Sequence, residues 1–226
     1  MTDIADLADV LPKATTQAWP SVASVAPSDA VLMGGTALAI HLRHRVSRDL
    51  DIFTTNEFDP DEIEARLRRL GLFATTLKGE GTLNGVFNEA KVQFLWAREQ
   101  RTLEAPTPVA GLPVGSLSDL FATKLKVIAD RGELRDYFDL MTIETRAGRR
   151  AEEGLALYLH RYGIDETHPT VEAIVRGLGF LDDVNDDPYL TREHGHGIRA
   201  SIASYWAARQ QELIAHLDPG HPPPSR

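Results

Sequence analysis

A chain of 226 residues suits one large domain or two small ones, and its 42% apolar and 25% charged content is ordinary for a globular protein. The absence of cysteine excludes disulfides and thiolate-bound zinc, and a net charge of −9 argues against a broad nucleic-acid-binding surface without excluding a local one. No apolar run approaches the ~18 residues of a membrane span, and Met1-Thr2-Asp3 lacks the basic start of a signal peptide, so a cytoplasmic protein with no membrane partner is expected.

Residues 3 to 30 predict one or two short helices ending in a Pro27-Ser28-Asp29 turn, with no recognisable chemistry. The stretch from Val31 to Thr55, VLMGGTALAIHLRHRVSRDLDIFTT, is different. Val31-Leu32-Met33 has the length of a buried strand, and Gly34-Gly35 stops it. Thr36 can then cap a helix carrying Leu38, Ile40 and Leu42. Ser47-Arg48 leads into Asp49-Leu50-Asp51-Ile52-Phe53, whose alternation predicts a half-buried strand. On such a strand Asp49 and Asp51 project together while Leu50 and Ile52 face the core.

Two neighbouring carboxylates repel, which is costly unless a cation sits between them. Magnesium is the natural candidate, because it takes oxygen ligands and is commonly held by one or two carboxylates plus substrate phosphates. The Gly34-Gly35-Thr36 turn offers backbone N–H groups and the positive end of a helix to an anion. Each motif alone is common. In this order and at this separation they form the equipment for moving a nucleotidyl or phosphoryl group. GGTALA followed by RVSRDLDIF resembles the nucleotidyltransferase superfamily, in which a Gly-Gly-Ser/Thr turn precedes an Asp-x-Asp strand by roughly a helix.

Asp59-Pro60 opens a further helix, with Asp61 and Glu62 near its positive end, Gly71 as its stop, and Ile63, Leu67 and Leu70 as its buried stripe. Strands are predicted at Phe73 to Leu77, Thr82 to Phe87 and Lys91 to Trp96, the last two forming a hairpin through Asn88-Glu89-Ala90. Many nucleotidyltransferases carry a third carboxylate on a strand here. The equivalent position is most naturally Gln93, which cannot take a proton at neutral pH, and Glu89 stands on the turn nearby. Whether either one replaces the third acid stays open.

Pro106, Pro108 and Pro113, with Gly111 and Gly115, form the plausible linker between an α/β domain, 1–114, and a helical domain, 115–226. Ser116 or Ser118 can cap a helix running to about Asp130, stopped by Gly132, with Leu117, Leu120, Phe121 and Ile128 as its apolar stripe. Lys124 falls within that stripe and Lys126 opposite it. An inward lysine needs an anion, either a structural carboxylate or a substrate phosphate. In the helix from Leu134 to Thr145, Leu134, Tyr137, Phe138 and Met141 form the stripe. Asp136 and Asp139 lie off it, placed either to share a neighbour or, with Arg135, to make an ordinary surface pair. Two basic clusters, Arg43-His44-Arg45 with Arg48, and Lys124, Lys126, Arg131 and Arg135, read equally as solvated helix faces or as phosphate receivers. Three or four helices are expected from Glu152 to Leu217, with His194-Gly195-His196 in a loop and a frayed tail from Asp218.

DLFATKLKVIADRGELRDYFDL is similar to the second signature of the AbiEii/AbiGii (MenT-like) nucleotidyltransferase toxins, an inward lysine followed by an Arg-Asp-x-x-Asp segment. The resemblance covers Val31 to Thr145 well and continues weakly beyond. It implies an α/β (α+β) fold, a small mixed sheet with helices followed by a helical domain. It also implies a cleft in which Asp49 and Asp51 face Lys124 and Asp139. It assigns Asp49 and Asp51 to Mg2+, and Gly34, Gly35 and Thr36 to the phosphates of a nucleoside triphosphate, with Ser47 and Arg48 as lesser contacts. Lys124 would neutralise the triphosphate, and Asp139 would orient or deprotonate the acceptor hydroxyl. The implied activity is that of a toxin transferring nucleotides from an NTP to an acceptor, the tRNA 3′ end, with a cognate antitoxin as partner. The alternatives are transfer to a protein or small molecule, or a non-catalytic protein that binds nucleotide or a partner.

Overall fold

The computed structural model describes residues 3–98 and 100–217; the tail expected to fray, Asp218 to Arg226, the first two residues and the side chain of Arg131 lie outside them. The chain divides into two compact units, one up to Leu120 and one from Phe121 onward.

The first unit opens with a short 3-10 helix, Ile4–Leu7, and α1, Lys13–Val25. Then come β1 (Val31–Met33), α2 (Gly34–Leu42), β2 (Leu50–Thr54) and α3 (Pro60–Leu70). Strands β3 (Phe73–Gly79), β4 (Thr82–Phe87), β5 (Ala90–Trp96), β6 (Thr107–Val109) and β7 (Leu112–Val114) complete it. The seven strands among the described residues join one mixed sheet in the order β3-β4-β5-β2-β1-β7-β6. The centre is β2, antiparallel to β1 and parallel to β5. Alternation makes this possible: Leu50 and Ile52 of β2, Leu83 of β4 and Phe94 of β5 are fully buried. On one side α1 packs against β5 and α3, and α3 against β3 and β4, bringing Trp19, Val22, Ile63 and Leu67 onto the sheet. Burying one such side chain is worth about 1.5–3 kcal/mol.

Local signals explain the connections. Asp59 caps α3 by accepting from the N–H groups of Asp61 and Glu62, and Gly71 follows its last residue, as expected. Leu70 was expected in the buried stripe but is 50% exposed, because it sits at the helix end beyond the sheet contact made by Ile63 and Leu67. Glu64, on the same helix, accepts from Lys78 and Thr75 of β3. The Lys78 ammonium first, and the Thr75 hydroxyl second, hold its carboxyl down at about 2. The β4–β5 turn has two residues, Asn88 and Glu89, both left-handed, so Ala90 belongs to the strand.

The stretch expected to be a linker, Pro106 to Gly115, is instead the β6–β7 hairpin, and β7 pairs with β1. Ala110 and Gly111, at φ 40° and 83°, make its two-residue turn. Pro108 and Pro113 lie opposite one another, next to the closing pair Val109–Leu112. Pairs alternate between hydrogen-bonded and not in an antiparallel ladder, and the second pair is the kind in which a missing N–H removes no bond. Proline therefore marks a register position here, not a break.

Helix α4, Leu117–Arg131, starts where the Ser116 hydroxyl accepts from the N–H of Asp119. The second unit adds α5 (Leu134–Ala147), α6 (Ala151–Tyr162), α7 (Pro169–Gly179), α8 (Pro188–His194) and α9 (Ile198–Leu217). Helix α9 is the hub, packing on α5, α6, α7 and α8. Its buried Arg209 donates to Glu144 and Glu152 at 2.8 Å each, while Trp206 donates to the carbonyl of Tyr137. His194 ends α8 with its ring 4.6 Å from that of Phe138. No helix among the described residues is long and apolar enough to cross a membrane.

Candidate active site

Strand β1 runs directly into α2. Gly34, at φ +69°, makes the bend, so the helix begins two residues earlier than Thr36, and its N-cap, Met33, offers no side-chain bond. Thr36, expected as the cap, sits inside the first turn and is fully buried. Its hydroxyl lies 2.9 Å from Ser47 Oγ and donates to the carbonyl of Asp49 at 2.5 Å. The chain between α2 and β2 is thereby sewn back onto the start of the helix. Ser47 is fixed again by its N–H, which donates to the carbonyl of Val10, and Arg48 by its carbonyl, which accepts from Thr15.

Asp51 is the third tie. It stands opposite Met33 of β1 and Gln93 of β5. Its carboxylate packs on the bare Cα of Gly34, so closely that a Cβ there would lie 2.1 Å from Oδ2. The acid thus rests at the positive end of α2, a favourable place for a carboxylate. Asp49 falls one residue before β2, which starts at Leu50 and not at Asp49 as its alternation suggested. Both acids are half-buried.

The neighbouring basic residues are not a solvated helix face. Helix α2 ends at Leu42, and Arg43 turns out of it in a left-handed conformation, pairing with Asp9. His44 and Arg45 are 4% and 8% exposed. The Arg45 guanidinium occupies the space over Gly35, where a Cβ would meet Nη2 at 2.4 Å. Sequence reasoning placed Arg45 only in a diffuse basic cluster. The signal that could have singled it out is the second glycine, which leaves room for a buried guanidinium.

Lys124 and Asp139 belong to the second unit. The lysine points inward as its position in the apolar stripe required, and what it meets there is carboxylate: Asp136 at 2.5 Å and Asp139 at 2.8 Å. Asp136 also accepts from the N–H of Glu133, closing a capping box at the start of α5. Asp136 and Asp139 were read as lying off the apolar stripe, yet they are 6% and 0% exposed. The shared lysine makes that burial tolerable. Arg135 pairs with Glu133 and leaves the buried acids to Lys124.

The site residues therefore form two groups, Gly34, Gly35, Thr36, Ser47, Arg48, Asp49 and Asp51 in the first unit and Lys124 and Asp139 in the second. No group of three or more His, Asp or Glu side chains among the described residues is placed to hold a metal ion. The oxygen donors of Asp49 and Asp51 suit a cation that draws its remaining ligands from substrate and water.

The sequence matches the model of the nucleotidyl transferase AbiEii toxin family of type IV toxin–antitoxin systems over residues 21–100 and 86–223. It is 29% identical over 167 residues to an uncharacterized protein of Aquifex aeolicus, covering 72% of this chain and 78% of that one. In fold it is similar to MenT4, a nucleotidyltransferase toxin from Mycobacterium tuberculosis, with a TM-score of 0.55 at 18% identity over 96% of this chain and 87% of that one. A Helicobacter pylori protein assigned to the nucleotidyltransferases also has a TM-score of 0.55, at 16% identity over 90% of this chain and 94% of that one. With a family match spanning nearly the whole sequence, the chain belongs to the AbiEii nucleotidyltransferase toxin family.

Proposed function

We propose that this protein transfers a nucleotide from a nucleoside triphosphate to the 3′ end of tRNA in a magnesium-dependent reaction. The observation that carries the proposal is the apposition of Asp51 and Gly34, with Thr36 bonded to the carbonyl of Asp49. Together these contacts set the Asp51 carboxylate against the positive end of a helix and tie the backbone of Asp49 to the first turn of that helix.

In this reading Asp49 and Asp51 hold Mg2+, which supplies charge neutralisation at the phosphates when bound. The first N–H groups of α2, at Gly34 and Gly35, receive the triphosphate beside the Arg45 guanidinium that covers Gly35. The buried hydroxyls of Thr36 and Ser47 act on the loop and leave phosphate contact to the backbone and to Arg48. An acceptor hydroxyl attacks the α-phosphorus, and the bond from that phosphorus to the pyrophosphate breaks. Lys124 supplies positive charge to the nucleotide, and the fully buried Asp139 positions Lys124 for it. Both enter the reaction already held by their mutual ion pair. As a member of a toxin family the chain is expected to act in the cytoplasm, countered by an antitoxin.

The test is incubation with each labelled nucleoside triphosphate, magnesium and total tRNA, with protein and small-molecule fractions in parallel. Label in tRNA supports the reading. The net charge of −9 favours a small acceptor as the rival, and label there alone would replace the tRNA assignment. No transfer to any fraction would refute nucleotidyl transfer.

A further inference from the structure

Strands β2, β5 and β4 lie side by side, and their register places Asp51, Gln93 and Asn84 in one row across the sheet. Residues directly opposite one another project from the same face, so the row reads carboxylate, amide, amide. The next row on that face is Phe53, Leu95 and Thr82. All six are half-buried, whereas Leu50, Ile52, Phe94 and Leu83 on the opposite face are fully buried. This is the face of the sheet that carries Asp51, and it is the more open of the two.

The two amides have no partner of their own. Neither Gln93 nor Asn84 makes a side-chain hydrogen bond to another described residue, and Asn84 Oδ1 is buried without one. A buried amide oxygen left without a bond is costly and rare, so one in the row of a carboxylate assigned to chemistry, with Gln93 between the two, asks for a ligand. The sheet order says which part of the substrate. Asp51 is flanked on its β1 side by Met33 and Gly34, where α2 begins, and on its other side by β5 and β4. The helix start, with its free N–H groups, suits the charged triphosphate. The neutral amides, each with a carbonyl acceptor and N–H donors, suit a neutral hydroxylated group. In-line displacement requires the attacking oxygen and the leaving pyrophosphate to lie on opposite sides of the phosphorus. A metal-holding acid between a phosphate cradle and an amide pair has that layout.

We infer that Gln93 and Asn84 form the acceptor subsite, binding the ribose hydroxyls of the acceptor's terminal nucleotide beside Asp51; the inference rests on the nucleotidyl-transfer reading above. The hydroxyl oxygen bonds to the α-phosphorus, the phosphorus–oxygen bond to pyrophosphate breaks with its electron pair leaving on pyrophosphate, and the proton passes to water. Gln93 takes no proton. It holds the hydroxyl in line, at the position where a third carboxylate would stand in other nucleotidyltransferases.

The test compares wild type, Gln93→Ala, Gln93→Asn, Asn84→Ala and Gln93→Ala/Asn84→Ala. Transfer from labelled nucleoside triphosphate to purified total tRNA gives kcat/KM for the acceptor. Calorimetry with the α,β-methylene triphosphate and magnesium gives nucleotide affinity without turnover. Each alanine variant should lose roughly tenfold in kcat/KM for tRNA, the double variant more, and Gln93→Asn less than Gln93→Ala. Nucleotide affinity should stay within about twofold of wild type, and thermal midpoints should not fall, because no hydrogen bond within the chain is lost. If wild type transfers and the variants match it, or if they lose nucleotide affinity instead, the acceptor assignment is overturned while nucleotidyl transfer stands. If wild type transfers nothing, the broader reading fails and this one with it.

Discussion

Substituting Gly34 by alanine tests whether the acid and the turn are built as one unit. The new Cβ would sit 2.1 Å from Asp51 Oδ2, 3.0 Å from Cγ and 3.2 Å from Cβ, closer than real side chains pack, and at a backbone φ of +69°. The left-handed conformation costs a non-glycine residue about 1–2 kcal/mol. Overpacking against a fixed neighbour adds about 1–3 kcal/mol. Lost chain entropy in the unfolded state returns less than ~1 kcal/mol. The net expectation is a loss of about 2–4 kcal/mol, which for a protein of this size lowers the thermal midpoint by roughly 4–16 °C. The steric part can be isolated. In Gly34→Ala/Asp51→Ala the obstructing carboxylate is gone, so the double variant should recover the ~1–3 kcal/mol of overpacking and retain only the backbone cost. Urea titration of wild type, both single variants and the double variant closes the cycle. Additive single effects would show that Asp51 does not rest on Gly34, and the argument that sequence pairs a glycine turn with this acid would fail.

Three other outcomes are expected. Expressing the chain alone should slow bacterial growth, and Asp49→Ala should abolish that effect while the thermal midpoint holds or rises, since one member of a like-charged pair is removed; a growth defect that survives would mean the toxicity is not catalytic. Lys124→Met should cost about 3–5 kcal/mol in urea unfolding by stranding the buried Asp136 and Asp139, and adding Asp136→Asn with Asp139→Asn should relieve part of it; an unfolding midpoint equal to wild type in Lys124→Met would refute the ion-pair account. Glu64, at about 2 when folded against 4.5 as its ordinary value, contributes stability that is fully present above pH 4.5 and is lost as pH falls through 2. Between those limits wild type should take up about one more proton on unfolding than Glu64→Gln does, and equal acid limbs in the two stability curves would remove that role.

Much of the fold was legible because it rests on short-range rules. The Asp59 cap, the Gly71 stop, the β4–β5 hairpin and the β1–β2 alternation each follow from a few adjacent residues. What escaped depends on partners far along the chain. Pro108 and Pro113 read as a break because proline is a poor strand former in isolation. Whether it is tolerated depends on which pair of the ladder it occupies, and β7 finds β1 some eighty residues upstream. Thr36 looked like a cap for a similar reason. The hydroxyl is indeed satisfied by backbone, but by the carbonyl of Asp49 after the helix and not by an N–H within it.

Lys124 shows how far a wheel carries an argument about a site, and where charge takes over. Periodicity alone demanded that the ammonium be buried and find an anion, and it is 7% exposed. It could not say that the anion would be two carboxylates from α5, because Asp136 and Asp139 look peripheral until the stripe's own lysine draws them in. Lys124 is already engaged by these two carboxylates, so most of the attraction for a triphosphate would have to come from elsewhere. In the proposed reaction the first unit would supply it, through the N–H groups at the start of α2 and a cation at Asp49 and Asp51. Asp139, which has no exposed surface, then acts by placing the lysine. Position and charge in this chain are thus divided between residues that the linear motif would assign to a single phosphate-binding set.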